Sequence, residues 1–537
     1  MPGPQLTALE QQLVDAVIQG ELLDLAGEDE PDEATMHSWG PAQTIRAWVI
    51  RDIVLGRLAP EPDPRGLGLR GVRIDGRIDL ANVAKDLEIR LQNCLLPDGL
   101  LLRDARLLGL DLGGCRIGRP ADSTESVIDA DRFVGRALIL NTAVVISSSP
   151  DGTLRLDNAH LSRLSCVASQ LRNDSGPALH GDNLVVDQNV FLSEGFTAHA
   201  VSDLGTVRLL GARIGGQLVC SGSHLSNMSG PGLACDSIQV GGDVFLSDGL
   251  TVVAAGNRGA VRLHGADIGG SLSCIGATLA NSSGPAFVAE TARVDRNLLL
   301  RPIGASGSDA GGTMNLADIR IGGTLRLDTT GLRARGPGNR ALVNLDGTVY
   351  SSLPGPGTVD DWLKLIGEHT PAYAAQPYQQ LAAVHRAAGH DHAVRKILMA
   401  QRRDQIRRRA VTGWDRVWAR LTGLTLGFGY QPWRALLMLL LVLGLSVGAA
   451  VTAGHRGGLA DTSSSATPRA PCSVTEQIGV GLDLGIPLLR TGARDQCAPT
   501  TTDTGQALTV TGWLLQILAW AFAALFIAGF TGAVRKT

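Results

Sequence analysis

Leu209-Leu210-Gly211-Ala212-Arg213-Ile214-Gly215-Gly216-Gln217-Leu218 returns further along the chain as Leu263-His264-Gly265-Ala266-Asp267-Ile268-Gly269-Gly270-Ser271-Leu272. Cys166, Cys220 and Cys274 keep the same interval, as do the Gly-Pro pairs that begin at Gly176, Gly230 and Gly284. A fixed period of about 54 residues marks a stacked array, in which each unit buries its apolar face only against its neighbours. A shorter period lies inside it. Ile214-Gly215-Gly216, Val240-Gly241-Gly242, Ile268-Gly269-Gly270, Val294-Asp295-Arg296 and Ile321-Gly322-Gly323 recur at half that interval. Apolar side chains alternate around each, as in Ile214, Gly216, Leu218 and Cys220, which is the period of a strand with one inward face.

Short strands, Gly-rich corners and a coil of about 27 residues predict a mainly β chain folded as a right-handed parallel β-helix, a solenoid. With 67 glycines against 9 Phe, 8 Trp and 4 Tyr, the corners are tight and the interior narrow. Upstream, Leu69 to Ile74 and Leu102 to Gly109 read as near-pentapeptide steps, so the array is placed at 66–354, with about ten coils standing roughly 50 Å tall. Cysteines two coils apart lie about 9.6 Å from one another along such a stack, beyond the Cα separation of about 7 Å that a disulfide tolerates. They read as small core residues, and no metal or cofactor is expected. Asn173-Asp174-Ser175, Asn227-Met228-Ser229 and Asn281-Ser282-Ser283 fit a glycosylation sequon, yet each precedes Gly-Pro, where Asn and Ser bond their own corner.

The array's ends need covers. Residues 1–60 are expected to form a helical cap, with a first helix carrying Leu9, Leu13, Ala16 and Val17 to Gly20. A second helix is placed from about Pro41 to Gly56. The acidic stretch from Glu28 to Glu33 reads as a solvated loop. No secretory leader is read at the start. Residues 358–425 read as a helical adaptor: Val359 to Glu368, Tyr378 to Ala388, and a long helix from about Asp391 into a basic juxtamembrane run. His385, His390 and His392 read as turn histidines rather than metal ligands.

Two uncharged apolar runs follow, Ala435 to Ala453 and Ala507 to Ala533, each long enough to span, and transmembrane α-helices are placed at 432–454 and 507–533. Nine Lys or Arg between Arg395 and Arg420 precede the first, and Arg535 and Lys536 follow the second. By the positive-inside rule both termini and the array are cytoplasmic and 455–506 is an extracytoplasmic loop, in a bacterial cell membrane. Arg407, Arg408, Arg409, Trp414, Arg416, Trp418, Arg420, Trp433 and Arg434 are expected to touch the anionic lipids of the inner leaflet. Nucleic acid is not an expected partner at a formal charge of −3. Cys472 and Cys497 are the disulfide candidates in the outer loop. Between them Ile478 to Leu489 is too short to span. It reads as an amphipathic lid stapled by the disulfide, with a re-entrant element as the alternative. Gln516, an isolated amide within the second run, is suited to bonding across a helix dimer.

These motifs resemble a family of uncharacterised bacterial membrane proteins. Leu209 to Leu218 and Leu263 to Leu272 match its Leu-x-Gly-Ala-x-Ile-Gly-Gly-x-Leu coils, Pro377 to His390 its Pro-Tyr-x-Gln-Leu-Ala-x-Val-x-Arg-Ala-Ala-Gly-His helix, and Gly429 to Arg434 its Gly-Tyr-x-Pro-Trp-Arg entry to the first span. Members are often labelled membrane-associated oxidoreductase, which the resemblance implies and no motif explains: no catalytic residue, Gly-x-Gly-x-x-Gly turn or Cys-x-x-Cys is read. The coils are also similar to pentapeptide-repeat and bactofilin β-helices, which implies scaffolding or self-assembly. The expected function is a membrane-anchored cytoplasmic scaffold or protein-interaction module, with a protein partner and homo-oligomers in view. An oxidoreductase and a two-span channel or sensor subunit are the alternatives.

Overall fold

At one corner of each turn of the array a residue is held in the left-handed backbone region. The series Asn82, Asp104, Arg132, Asn158, Asn183, Gly211, Ser237, Gly265, Thr291, Asp318, Gly347 has φ between 55 and 73°. Asn, Asp and Gly, which tolerate this region best, supply most of it. Each such residue turns the chain at one corner and sets the next strand parallel to the one beneath. In the computed structural model the result is a β-solenoid of about eleven turns. The structure describes residues 5–27, 30–120, 123–307, 312–334, 342–352, 358–408, 410, 413, 423, 433–462, 470–485 and 491–536. The chain divides into two units, Met1–His390 and Asp391–Thr537.

Three parallel sheets form the walls of the solenoid: face A with 19 strands, face B with 12 and face C with 11. In one turn the chain passes Leu179–His180 on face C, Val185–Val186 and Val190–Phe191 on face A, and Thr197–Ala200 on face B. It then re-enters face C at Val207. Early turns cross face A in one continuous strand, such as His160–Ser165, whereas later turns break it at the Gly-Gly corners. Those corners stack so closely that a methyl on Gly241 would lie 2.3 Å from the Gly215 carbonyl oxygen, and one on Gly269 would lie 2.6 Å from that of Gly241. Close approach, rather than an unusual φ, is what fixes glycine there. The expectation of ten turns falls short because the first are small. The step from Ile78 to its partner Leu100 is visibly shorter than the step from Met314 to its partner Val343.

The longer repeat is two turns, and its core columns show why. Coil-to-coil hydrogen bonds place Leu192 between Cys166 and Cys220, and Leu246 between Cys220 and Cys274; Leu300 follows. Small and large side chains thus alternate up the column, which lets successive layers interdigitate. All six residues are 0–1% exposed.

The N-terminal segment is not purely helical. Helix α1 (Ala8–Gln19) opens with a Thr7–Glu10 capping box and ends at Gly20 with φ 71°. Leu22–Asp24 then pairs with Leu67–Arg70 on face A, and Thr44–Arg46 pairs with Arg73–Asp75 on face B. The helix expected at 41–56 is therefore cut to α3 (Ala47–Val54), because Ile45 is drawn into the first strand of the face B column above Ile74. A short α2 (Glu33–Ser38) rises just after the acidic stretch. At the other end, α4 (Val359–Glu368) and α5 (Gln376–Ala387) close the last turn. Gln376 and Gln380 donate their side-chain amides to the Thr348 and Tyr350 carbonyls at 2.8 and 2.6 Å, satisfying acceptors of the terminal strand. Both helices begin and end close to where the sequence placed them.

The second unit contains α6 (Asp391–Arg407), α7 (Trp433–His455), α8 (Val474–Gly485) and α9 (Asp503–Lys536). Trp433–His455 and Asp503–Ala528 are long and apolar enough to cross a membrane. Leu459–Asp461 pairs antiparallel with Cys497–Pro499 between them.

The N-terminal cap is pinned by an ion pair. Glu10, fully buried, accepts hydrogen bonds from the Arg46 side chain at 2.7 and 2.5 Å. The Arg46 guanidinium holds the Glu10 carboxyl down at about 2, against burial that works the other way. Its stabilisation is complete above the ordinary value of 4.5 and is lost as pH falls toward 2. Glu10→Gln should cost about 2 kcal/mol at pH 7 in a urea titration, and that difference should shrink as both proteins are titrated from pH 4.5 downward.

Candidate functional site

Side chains on a solenoid wall alternate in and out, so each face carries an outward column of one residue per turn. On face B two such columns run side by side. Val144, Gln170, Thr197, His224 and Thr251 form one, and Ile146, Arg172, His199, Ser226 and Val253 form the other. Together they line an open groove of about 440 Å³. Its residues are mostly uncharged. His199 is held to Ser226 at 2.9 Å, and Arg172 pairs with Asp174 at 3.1 Å. Ile146 and Val253 are 48% and 52% exposed, the largest apolar surfaces of the groove. Lower on the same wall, Leu95 is the outward residue beneath Arg116 and Val144. It is buried under Met36 and Trp39, a satellite cluster built by α2. The chain thus covers one apolar position of face B with its own helix and leaves the next ones open.

Face C carries the opposite kind of surface, a ladder of charges that neutralise one another. Arg103 meets Asp129 at 2.6 Å, Arg132 meets Asp104 and Asp131 at 2.6 Å, Arg155 meets Asp157 at 2.8 Å, Arg208 meets Asp182 at 2.7 Å, and Arg262 meets Asp236. His180 stands among them, 3.6 Å from both Asp157 and Asp182, with its Nδ1 2.9 Å from the Asp151 carbonyl. Burial opposes its charged form, but the bond to Asp182, the Asp151 carbonyl and the Asp157 charge raise its pKa above 6.5. Asp182 is likewise opposed by burial and is held below 3.8 by His180 and Arg208. No sequence motif pointed to this ladder, because most of its partners, such as Arg208 and Asp182, are about one turn apart and become neighbours only when stacked.

The thiols belong to the core. Cys94, Cys115, Cys166, Cys220, Cys235 and Cys274 are all buried and free. Burial pushes Cys166, Cys220 and Cys274 up to about 12, so they stay protonated and poor nucleophiles. The three sequon asparagines are corner ties. Asn227 donates to the Ser202 and Pro231 carbonyls at 2.9 and 2.8 Å and accepts from the Ser229 and Gly230 amides, both at 3.0 Å. Asn173 and Asn281 repeat the donor pair. At 0–2% exposure no glycan could reach them. His385 and His390 lie 3.3 Å apart through Nδ1 at the end of α5.

In the second unit Cys472 and Cys497 are joined, with Cα atoms 6.0 Å apart. Of the residues expected at the lipid surface, Arg407 and Arg408 both bond Asp404 at the end of α6, at 2.7 and 3.1 Å. Trp433 begins α7, 54% exposed, with Arg434 next to it. Arg409, Trp414, Arg416, Trp418 and Arg420 lie outside the described residues. Of the segment read as a lid, 486–489 lie outside the described residues, and Ile478 to Gly485 belongs to α8, which packs against α7. Glycines allow this: a methyl on Gly481 would fall 2.5 Å from the Val447 Cα. No protein-family model, curated protein or solved structure matches this chain.

The charge ladder makes one measurable claim. His180 stabilises the fold fully below its ordinary pKa of 6.5, and the contribution is lost as pH rises through its raised folded value. His180→Gln should lower stability by about 1 kcal/mol at acid pH in denaturant titrations, and the difference should vanish as pH rises through the raised folded pKa of His180.

Proposed function

We propose that this protein is a membrane-anchored scaffold: α7 and α9 hold it in a bacterial cell membrane with both termini cytoplasmic, and face B of the solenoid docks a protein partner. The observation that carries this reading is the groove between Val144 and Val253, set on the same wall that α2 already covers at Leu95. The contact with Met36 and Trp39 defines the partner's chemistry, a short helix offering Met or aromatic side chains to a shallow apolar strip. Thr, Ser and His around that strip supply hydrogen bonds without fixing a strong field. The ladder on face C sets its arginines against at least as many aspartates and so leaves no excess positive charge there for steering a polyanion. A redox role, as the family label implies, would need groups other than the core thiols, which are enclosed and protonated.

A photo-crosslinking residue placed at Thr197 in cells should yield one discrete protein adduct. Ile146→Asp should abolish that adduct while the protein keeps its thermal midpoint within about 2 °C, since the side chain is surface-exposed. Failure of every face B position to crosslink would remove the docking reading. Reporters fused after Arg65, Asp461 and Thr537 should report inside, outside and inside respectively; an external Arg65 fusion would overturn the orientation.

A further inference from the structure

The charge on face A changes sign along the solenoid. Its first outward column runs Arg213, Gln239, Asp267, Arg293, Arg320, one residue per turn. Its second runs Phe191, Val219, Phe245, Ser273, Leu299, Arg326. Across the turns from Val185 to Ser273 the charges of this wall are Asp187, Asp243 and Asp267 against Arg213. The next two turns add Arg293, Arg296, Arg301, Arg320 and Arg326, all exposed, against Asp295 on the wall itself. Arg293 and Arg320 are Cα partners on adjacent strands, about 4.8 Å apart, where like charges repel. Arg293 is neutralised by Asp295 at 2.8 Å. Arg296, Arg301, Arg320 and Arg326 form no ion pair among the described residues. Asp328, one turn above Arg301, is taken up by the Thr330 amide and hydroxyl at 3.0 and 2.7 Å.

An apolar point stands at the edge of the same patch. Ile303 follows Arg301 at the corner between face A and face B. It is 76% exposed, more than any other large apolar side chain among the described residues. Its backbone neighbours in the turns below and above are Ala277 and Gly331, which offer one methyl group and none. Leu299, half-buried, lies inside the patch on the second column. Either feature alone is ordinary for a protein surface. Together, unpaired cations and an exposed aliphatic side chain match the two terms of binding at a lipid interface, attraction to phosphate and apolar insertion. A nucleic acid would use the cations but not Ile303, and these two turns carry no aromatic ring on which bases could stack.

We propose that the Arg293–Arg326 turns of face A are a membrane-contacting patch: the arginines bind the phosphates of anionic phospholipid and Ile303 inserts among the headgroups. The proposal rests on the membrane reading above and is independent of the face B groove. Ile303→Cys in the full-length chain can carry an environment-sensitive fluorophore, because the six free thiols are buried and Cys472 and Cys497 are joined. In phosphatidylcholine nanodiscs its emission should rise at least about threefold when phosphatidylglycerol is included, and fall back in about 1 M salt, where charges are screened within about 3 Å. Arg320→Glu with Arg326→Glu should abolish the rise without loss of incorporation, and Arg320→Lys with Arg326→Lys should keep it. The same label on Met228→Cys, 69% exposed just past His224–Asn227, should not respond to lipid composition. Equal emission in both lipids, or an equal rise at Met228→Cys, overturns the patch and leaves the spans untouched. A rise produced by single-stranded RNA and not by phosphatidylglycerol gives the surface to nucleic acid instead. A chain that never enters the nanodiscs overturns the membrane reading on which the proposal stands.

Discussion

The hydrogen bond from each turn to the next is the interaction on which everything else depends. Every strand of the solenoid is parallel to its neighbours, so the backbone of one turn is satisfied only by the turns above and below it. That constraint sets the corner residues at positive φ, the glycines where corners touch, and the asparagines that tie Gly-Pro corners through three to five side-chain hydrogen bonds each. It also creates a problem at both ends, where a turn has a neighbour on one side only. The chain answers with two edge strands and α1 at one end, and with the amides of Gln376 and Gln380 at the other. Glu10 and Arg46 join the helical and stranded parts of the first cover.

The outer walls inherit their chemistry from the same stacking. A residue repeated once per turn becomes a continuous column, and the nature of that residue decides what the column can do. On face C basic residues of the strands meet acidic residues that lie mostly at the adjoining corner, and the charges largely cancel. On face B they are uncharged, partly apolar and open, which is the reason for placing a partner there. In the second unit glycine does a comparable job by another route, letting a short helix lie closely against a long one.

Much of this was legible because periodicity is a direct record of geometry. The interval between Cys166 and Cys220, with the Ile-Gly-Gly steps inside it, was sufficient for parallel turns, their length and the inward thiols. Thr358 and the pattern through Ala388 located two helices closely. Where the reading failed, the deciding contact was distant in sequence. Ile45 looks helical among its neighbours and is a strand because Ile74 lies beside it. Most pairs of the face C ladder join residues about one turn apart, and no local pattern announces Asp157 as a partner of His180. Between Cys472 and Cys497, composition alone could not separate a helix lying across the loop from one descending beside α7; Gly481 and Gly485 decide it only once their neighbours are known.

The alternation of cysteine and leucine along one core column has a bearing on how such a chain can grow or shrink. From Leu140 to Leu300 each turn that carries Cys at this layer lies between turns that carry Leu, whereas Leu112 on Leu140 and Leu300 on Leu327 stack like on like at either end. Within the alternating stretch, inserting a single turn breaks the sequence of layers, whereas adding or removing a pair keeps it. The repeating module of that stretch is the doublet, and a designer has pairs of turns to work with there and single ones at its Leu-on-Leu ends.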